Sequence, residues 1–253
     1  MAPAFETDKE DVYYPLLQHM SDEGMENFEK VCFEENFPYE GYYLYCLCED
    51  PRLCLIYDDE GYLVGIQISY PKCELLDDHI YNSSNPNFIP TIIYGIELIS
   101  VRIWFINPGC GRTSGEIVEG LWTVLDGKLE KIDSQCQPNS PLIGDFVIVG
   151  CAHKIGQMFA YRFDDHHSLQ NGFFLYLLYE KRRLVGFGST IPGKIKQGPN
   201  LNVYHYVDEN ASETLVEYPP PDYKELLTYG FTAVTVFLIE DPWNIGCPKC
   251  LCD

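Results

Sequence analysis

NGFFLYLLYEKRRLVG, residues 171–186, has two partial likenesses in the first half of the chain, and the choice between them sets the fold. EGYYLYCLCEDPRL (40–53) lies over NGFFLYLLYEKRRL (171–184) without a gap, matching Gly41 with Gly172, Leu44 with Leu175, Tyr45 with Tyr176 and Leu47 with Leu178. Glu49, Arg52 and Leu53 then meet Glu180, Arg183 and Leu184. A competing register sets LIYDDEGYLVG (55–65) over LLYEKRRLVG (177–186). Further along, YGIELISVRIWFINPGC (94–110) resembles YGFTAVTVFLIEDPWNIGC (229–247): a Tyr-Gly, an alternating run, an Asn-Pro or Asp-Pro turn, and a Cys. Both registers imply a duplicated chain with related halves at about 32–110 and 151–247, the kind of self-similarity that takes precedence over residue-by-residue reading.

The repeated unit reads as β-structure. SVRIWFI and TAVTVFLIE alternate β-branched and aromatic residues and end in turn formers, and YDDEGY (57–62) is a hairpin turn between LCLIY and YLVGIQIS. DFVIVG and GFFLYLLY are short apolar runs of buried-strand length. SDEGMENFEKVCF (21–33) predicts a helix capped by Ser21, with Met25, Phe28, Val31 and Cys32 on one face, and Pro221 opens a single turn through PDYKELL. The expectation is a mainly β protein of two similar antiparallel halves, sandwich- or barrel-like, with one N-terminal helix. Its divisions are an N-terminal segment (1–31), a first β half (32–110), an acidic loop-rich connection (111–150), and a second β half with a Cys-rich tail (151–253).

Among 253 residues, 46% are hydrophobic and 14% aromatic, enough to bury a substantial core. Asp and Glu outnumber Lys and Arg by 38 to 17, which disfavours nucleic acid and anionic lipid surfaces as partners. No apolar run has the length of a membrane span, so no membrane insertion is expected. Eleven cysteines suit an oxidising compartment, and Asn82-Ser-Ser and Asn210-Ala-Ser are glycosylation sequons that point the same way. MAPAFETDKE has no apolar signal core and reads as the start of a mature secreted chain. The terminal CPKCLCD has CxxC spacing without a second CxxC, which favours disulfide anchoring over zinc.

With its paired strand-to-Pro-to-Cys endings and its GCAHKIGQMFAY segment (150–161), the chain resembles a family of secreted, cysteine-containing invertebrate proteins with two similar halves. The resemblance implies secretion and supplies neither a reaction nor site residues.

Candidate chemistry is sparse. FDDHH (163–167) packs two carboxylates and two imidazoles together, but FEENFPYEG (33–41) stands in the same place before the other half, so the acidic pair belongs to the scaffold and only the histidines are peculiar to the second copy. His166 and His167 point to opposite faces of an extended chain, so a metal site needs an irregular loop and His153, with Asp164 or Asp165, to complete a two-His, one-carboxylate set for a divalent ion such as zinc or iron. A solvated acidic loop explains the same residues. GxSxG, Walker, HExxH and GxGxxG patterns are missing, Cys110 in NPGCGRTSG reads as a disulfide partner before a nucleophile activated by Arg112, and Gly120-Leu-Trp122 matches the lipocalin G-x-W only by coincidence of a mid-chain hairpin. The expectation is a secreted, disulfide-stabilised binding protein for a small apolar or aromatic ligand, held where the halves meet, or for an extracellular protein. Tyr45, Trp104 and Tyr176 are the candidate ligand contacts. The alternatives are a metal-dependent enzyme using His153, Asp164, Asp165, His166 and His167, and a structural extracellular component.

Overall fold

A computed structural model describes residues 14–31, 40–76, 82, 84–110, 120–135, 145–163, 175–199, 201–217, 219–220 and 223–247. Two antiparallel sheets carry the chain. The first holds β1 (Phe28–Lys30), β2 (Tyr42–Leu47), β3 (Asp50–Asp58), β4 (Leu63–Pro71), β5 (Ile89–Ile93), β6 (Ile96–Trp104), β7 (Gly120–Leu125) and β8 (Lys128–Asp133), in the order β1-β2-β3-β4-β6-β7-β8 with β5 also on β6. The second holds β9 (Phe146–Ala152), β10 (Gly156–Tyr161), β11 (Leu175–Glu180), β12 (Arg183–Pro192), β13 (His205–Val207) and β14 (Phe231–Phe237), in the order β13-β14-β12-β11-β10-β9. Two short helices, α1 (Glu209–Leu215) and α2 (Tyr223–Leu227), fill the connection between β13 and β14.

The two orders are the same order: β1-β2-β3-β4-β6 matches β9-β10-β11-β12-β14, with β5 and β13 each on the far edge of the last strand. This selects the register that lays 55–65 over 177–186. In the first copy, Ile56 pairs Gly65 and Tyr57 pairs Leu63, so Val64 is an extra residue; in the second, Leu178 pairs Gly186 and Tyr179 pairs Leu184, so Val185 is extra. The amides of Phe105 and Leu238 then donate to the carbonyls of Val64 and Val185, both at 2.8 Å. A bulge kept at one position in both copies is a fold-determining feature, since it bends the strand locally and re-aims the side chains beyond it. The ungapped match of 40–53 with 171–184 lines up β2 with β11, strands that share apolar and aromatic composition but not place.

Both bulges carry a glycine because the next strand lies against it. A Cβ on Gly65 would stand 2.7 Å from the Ile103 carbonyl oxygen, and one on Gly186 2.7 Å from that of Val236. Each sheet presents one face to a common core, where Leu55, Tyr57 and Ile66 of the first join Leu177, Tyr179 and Phe187 of the second. Ring contacts cross that core: Phe105 meets Phe187 at 6.4 Å, and Tyr70 stacks on Tyr204 at 5.5 Å. The outward faces are buried too, Leu44, Ile56 and Trp104 in one cluster and Leu178, Val185 and Tyr223 in another. This is a mainly β sandwich of two similar halves.

Three local expectations change. Instead of a helix over 21–33, residues Met25–Asn27 make one 3-10 turn after Gly24 (φ 104°), and Phe28–Lys30 continue as β1 along the edge of β2. Edge pairing supplies backbone partners that an isolated short helix lacks, and helices this short are marginal on propensity alone. Residues 120–133, expected within the connection, form the β7–β8 hairpin of the first sheet, and β9 already belongs to the second. Within PDYKELL, Tyr223–Leu227 do form α2, whereas α1 is a helix that the sequence does not announce, because ENASETL has no apolar stripe.

Cys46 and Cys54 are bonded across β2 and β3, and Cys151 on β9 is bonded to Cys247 beyond β14. These disulfides are consistent with an extracellular chain. Among the described residues no helix is long and apolar enough to cross a membrane.

The packing against the bulges can be tested directly. Gly65→Val and Gly186→Val each drive a side chain into a neighbouring carbonyl and should lower stability by about 1–3 kcal/mol, read as matched drops in urea midpoint. Replacing Cys151 and Cys247 by Ser opens a loop with a sequence separation of 96 residues and should cost about 4.7 kcal/mol by chain entropy, roughly twice the cost of opening the 8-residue separation of Cys46 and Cys54; calorimetry on the two double variants checks the ranking.

Candidate functional site

Each half accepts one extra chain segment at the same place beside the bulge. Leu63 N donates to the Gln18 carbonyl at 2.9 Å, and Leu184 N to the Ser134 carbonyl at 2.8 Å. The Tyr57 hydroxyl donates to the Leu17 carbonyl and the Tyr179 hydroxyl to the Asp133 carbonyl, both at 2.9 Å. Isolated bridges complete the parallel, His19 with Tyr62 and Gln135 with Arg183. Burial pushes both phenols above the ordinary tyrosine range, so they remain protonated donors throughout the physiological range.

A groove of about 1230 Å³ lies along this seam and takes counterparts from both halves: Phe105 with Leu238, and Gln18 with Ser134. Its deep wall is apolar, made by Phe105, Leu121, Leu184 and Val236, each no more than 5% exposed. Tyr14, Leu16 and Trp243 contribute at its less buried margins, and Lys181, Arg182 and Arg183 stand exposed at one margin. Glu240 is its one acidic lining residue among the described residues.

The basic margin is the β11–β12 turn. Lys181 and Arg182 have φ of 48° and 68°, the left-handed pair of a two-residue hairpin turn. Two other hairpins use such pairs, Tyr94-Gly95 (53° and 75°) and Asp126-Gly127 (51° and 75°), and both place Gly second. In the first half the corresponding turn is acidic and tied down by hydrogen bonds. Asp58 Oδ1 accepts the amides of Glu60 at 3.1 Å and Tyr62 at 2.8 Å, Met20 N donates to the Gly61 carbonyl at 2.8 Å, and the His19 ring packs edge-on to Tyr62 at 4.8 Å.

The residues singled out in the sequence do not converge on the groove. Tyr45 is half-buried against Tyr57 at 5.6 Å; Trp104 lies in the outer cluster of the first sheet against Tyr42 at 5.3 Å. Tyr176 lies on the outer face of the second sheet, donating to the Val234 carbonyl at 3.1 Å, with its ring over Gly188, where a Cβ would come within 2.2 Å of it. His153 is exposed on the β9–β10 turn, and Asp164, Asp165, His166 and His167 lie outside the described residues. Among the described residues no group of three or more His, Cys, Asp or Glu gathers around a metal-sized space. Of the sequon asparagines, Asn82 is half-buried with its Oδ1 accepting Ser84 N at 3.0 Å, and Asn210 is exposed on α1. The groove residues are hard to find in the sequence because KRR in EKRRLVG reads as an ordinary polar turn; three adjacent cations in so acidic a chain are the one signal that marks them.

At another point the halves are joined by buried charge. Arg52 Nη1 contacts Asp50 Oδ1 at 3.1 Å and Nη2 contacts Glu74 Oε1 at 3.4 Å, while Nε donates to the Lys196 carbonyl at 3.1 Å. Lys196 N returns a bond to Glu74 Oε2 at 2.7 Å. Asp50 is fully buried beneath Gly198, where a Cβ would fall 1.6 Å from its Oδ2. This is an anchor rather than an open site.

No known protein family, curated protein or solved structure matches this chain. Arg52→Met should destabilise the protein by about 3–5 kcal/mol, because it leaves the Asp50 carboxylate buried without its counter-charge, and guanidinium denaturation against wild type measures the loss.

Proposed function

We propose that this is a secreted binding protein that holds a small apolar or aromatic molecule in the groove between its two halves. The groove itself carries the reading, with apolar side chains from both copies meeting at one seam. Its volume of about 1230 Å³ is somewhat larger than ordinary small-molecule sites, which run to roughly 1,000 Å³ and are lined mainly by apolar groups with a few polar ones. Binding there needs no bond-making step. Affinity comes from removing the ligand's apolar surface from water, at about 25 cal/mol per Å² before the costs of association are subtracted. Secretion is supported by the disulfides Cys46–Cys54 and Cys151–Cys247 and by the sequons at Asn82 and Asn210.

Native mass spectrometry of the protein secreted by cultured eukaryotic cells should show an organic species that leaves on denaturation, and the neutral fluorophore N-phenyl-1-naphthylamine should bind with enhanced emission. Leu238→Trp, which adds bulk at a half-buried groove position, should weaken fluorophore binding by about tenfold while leaving the circular dichroism unchanged. A bare chain that does not bind the fluorophore would refute the reading. A stoichiometric transition metal found by elemental analysis would instead favour an enzyme built around His153.

A further inference from the structure

We infer that the groove's ligand is a carboxylate with a long or aromatic apolar body, and that Lys181, Arg182 and Arg183 hold its head while the apolar wall takes the rest. This rests on the proposed binding role and narrows it to a chemical class.

Charge points there first. The chain carries only 17 Lys and Arg against 38 Asp and Glu, yet three consecutive cations stand at the margin of its apolar groove. In a protein of net charge −21 such cations have many carboxylates to pair with, but among the described residues none of the three makes an ion pair. The adjacent acid is already committed: Glu180 Oε1 accepts Gly246 N at 3.0 Å. Among the described lining residues Glu240 is one carboxylate against three cations.

The two copies also differ at this turn and agree around it. They share the strand order, the bulge and the flanking tyrosine, but the first has Asp59, Glu60 and Gly61 here, whereas the second has Lys181 and Arg182. Both turns have exposed side chains, acids in the first copy at Asp59 and Glu60, with His19 and Met20 packed at its Gly61–Tyr62 end, and cations in the second. Local backbone preference does not explain the choice. A left-handed residue other than Gly costs about 1 kcal/mol, and Lys-Arg stands where the other two such hairpins use a residue followed by Gly.

Complementarity then selects the head group. Arg presents a planar fork of donors that suits a carboxylate in two-point contact. A local positive margin on an acidic surface orients an approaching amphiphilic anion head-first, while the overall charge repels anionic bilayers, so the occupant is a dissolved molecule rather than a membrane surface.

The test uses the full secreted chain and displacement of N-phenyl-1-naphthylamine by dodecanoate and by dodecanol, which share an apolar chain and differ in charge. Dodecanoate should displace the fluorophore at about tenfold lower concentration than dodecanol, a difference that shrinks in high salt. A variant combining Lys181→Asn, Arg182→Gly and Arg183→Gln keeps a turn sequence favoured for this geometry and should fold as well as wild type. In it, dodecanoate should fall to the level of dodecanol, with dodecanol unchanged. Equal displacement by both compounds in the wild type would overturn the carboxylate inference while leaving the groove as a binding site. A preference for dodecanoate that survives in the variant would overturn the assignment to these three cations. Failure of the fluorophore itself to bind would refute the binding role, and the inference with it.

Discussion

Two-sided burial is the constraint on which this molecule depends. β3 and β4 are buried along their whole length, and so is β12 past its first residue, because each sheet gives one face to its twin and still covers the other. Sheets in that position read as near-continuous apolar sequence rather than clean alternation, and every polar side chain on them must find a partner inside. The first sheet shows how this is met: Arg102 Nε donates to Gln67 Oε1 at 2.7 Å, Gln67 Nε2 to Ser69 Oγ at 3.1 Å, and Ser69 and Ser100 hydroxyls meet at 2.9 Å. The bulge sets the phase of the arrangement. With an extra residue beside Ile56, and another beside Leu178, the tyrosine just beyond turns inward in each copy and reaches for the added segment at the seam.

The copies have kept the shared face and diverged elsewhere. Where the first bonds Cys46 to Cys54 on its outer face, the second pairs Ala160 with Tyr176, and where the first has Gln67 the second has Gly188, which leaves room for that tyrosine's ring. Compensation is local. A large ring gained at one position is matched by side chains lost at its neighbours, which is how a close-packed layer changes without changing its fold. The same freedom at a turn replaces acid with base and gives the groove its single strongly basic margin.

Much of the architecture is legible in the sequence because alternation, turn residues and repetition leave direct marks on it. SVRIWFI and TAVTVFLIE announce β6 and β14, and YDDEGY announces its hairpin. The register is ambiguous for a physical reason: β2, β3 and β11 all carry Leu and Tyr among other apolar residues, so sliding the comparison by one strand loses little likeness. FEKV reads as helical because Met25, Phe28 and Val31 have helical spacing, but the same residues suit an edge strand once β2 offers its hydrogen bonds. The aromatic candidates Tyr45, Trp104 and Tyr176 stand out by size, and size places a side chain in a core as readily as in a cleft. The groove is made of residues distant in sequence, from Tyr14 to Trp243, so only the chain's path could bring them together.

The bond between Cys151 and Cys247 joins the first strand of the second sheet to the segment after its last, closing almost the whole of that half into a covalent ring. A ring has no loose end from which to be unthreaded. A protease that severs any one peptide bond within it still leaves the pieces attached, so a nick converts the loop into a branched chain instead of releasing a fragment. In surroundings rich in digestive enzymes and poor in reductants, such a molecule can be damaged at its surface and keep its shape.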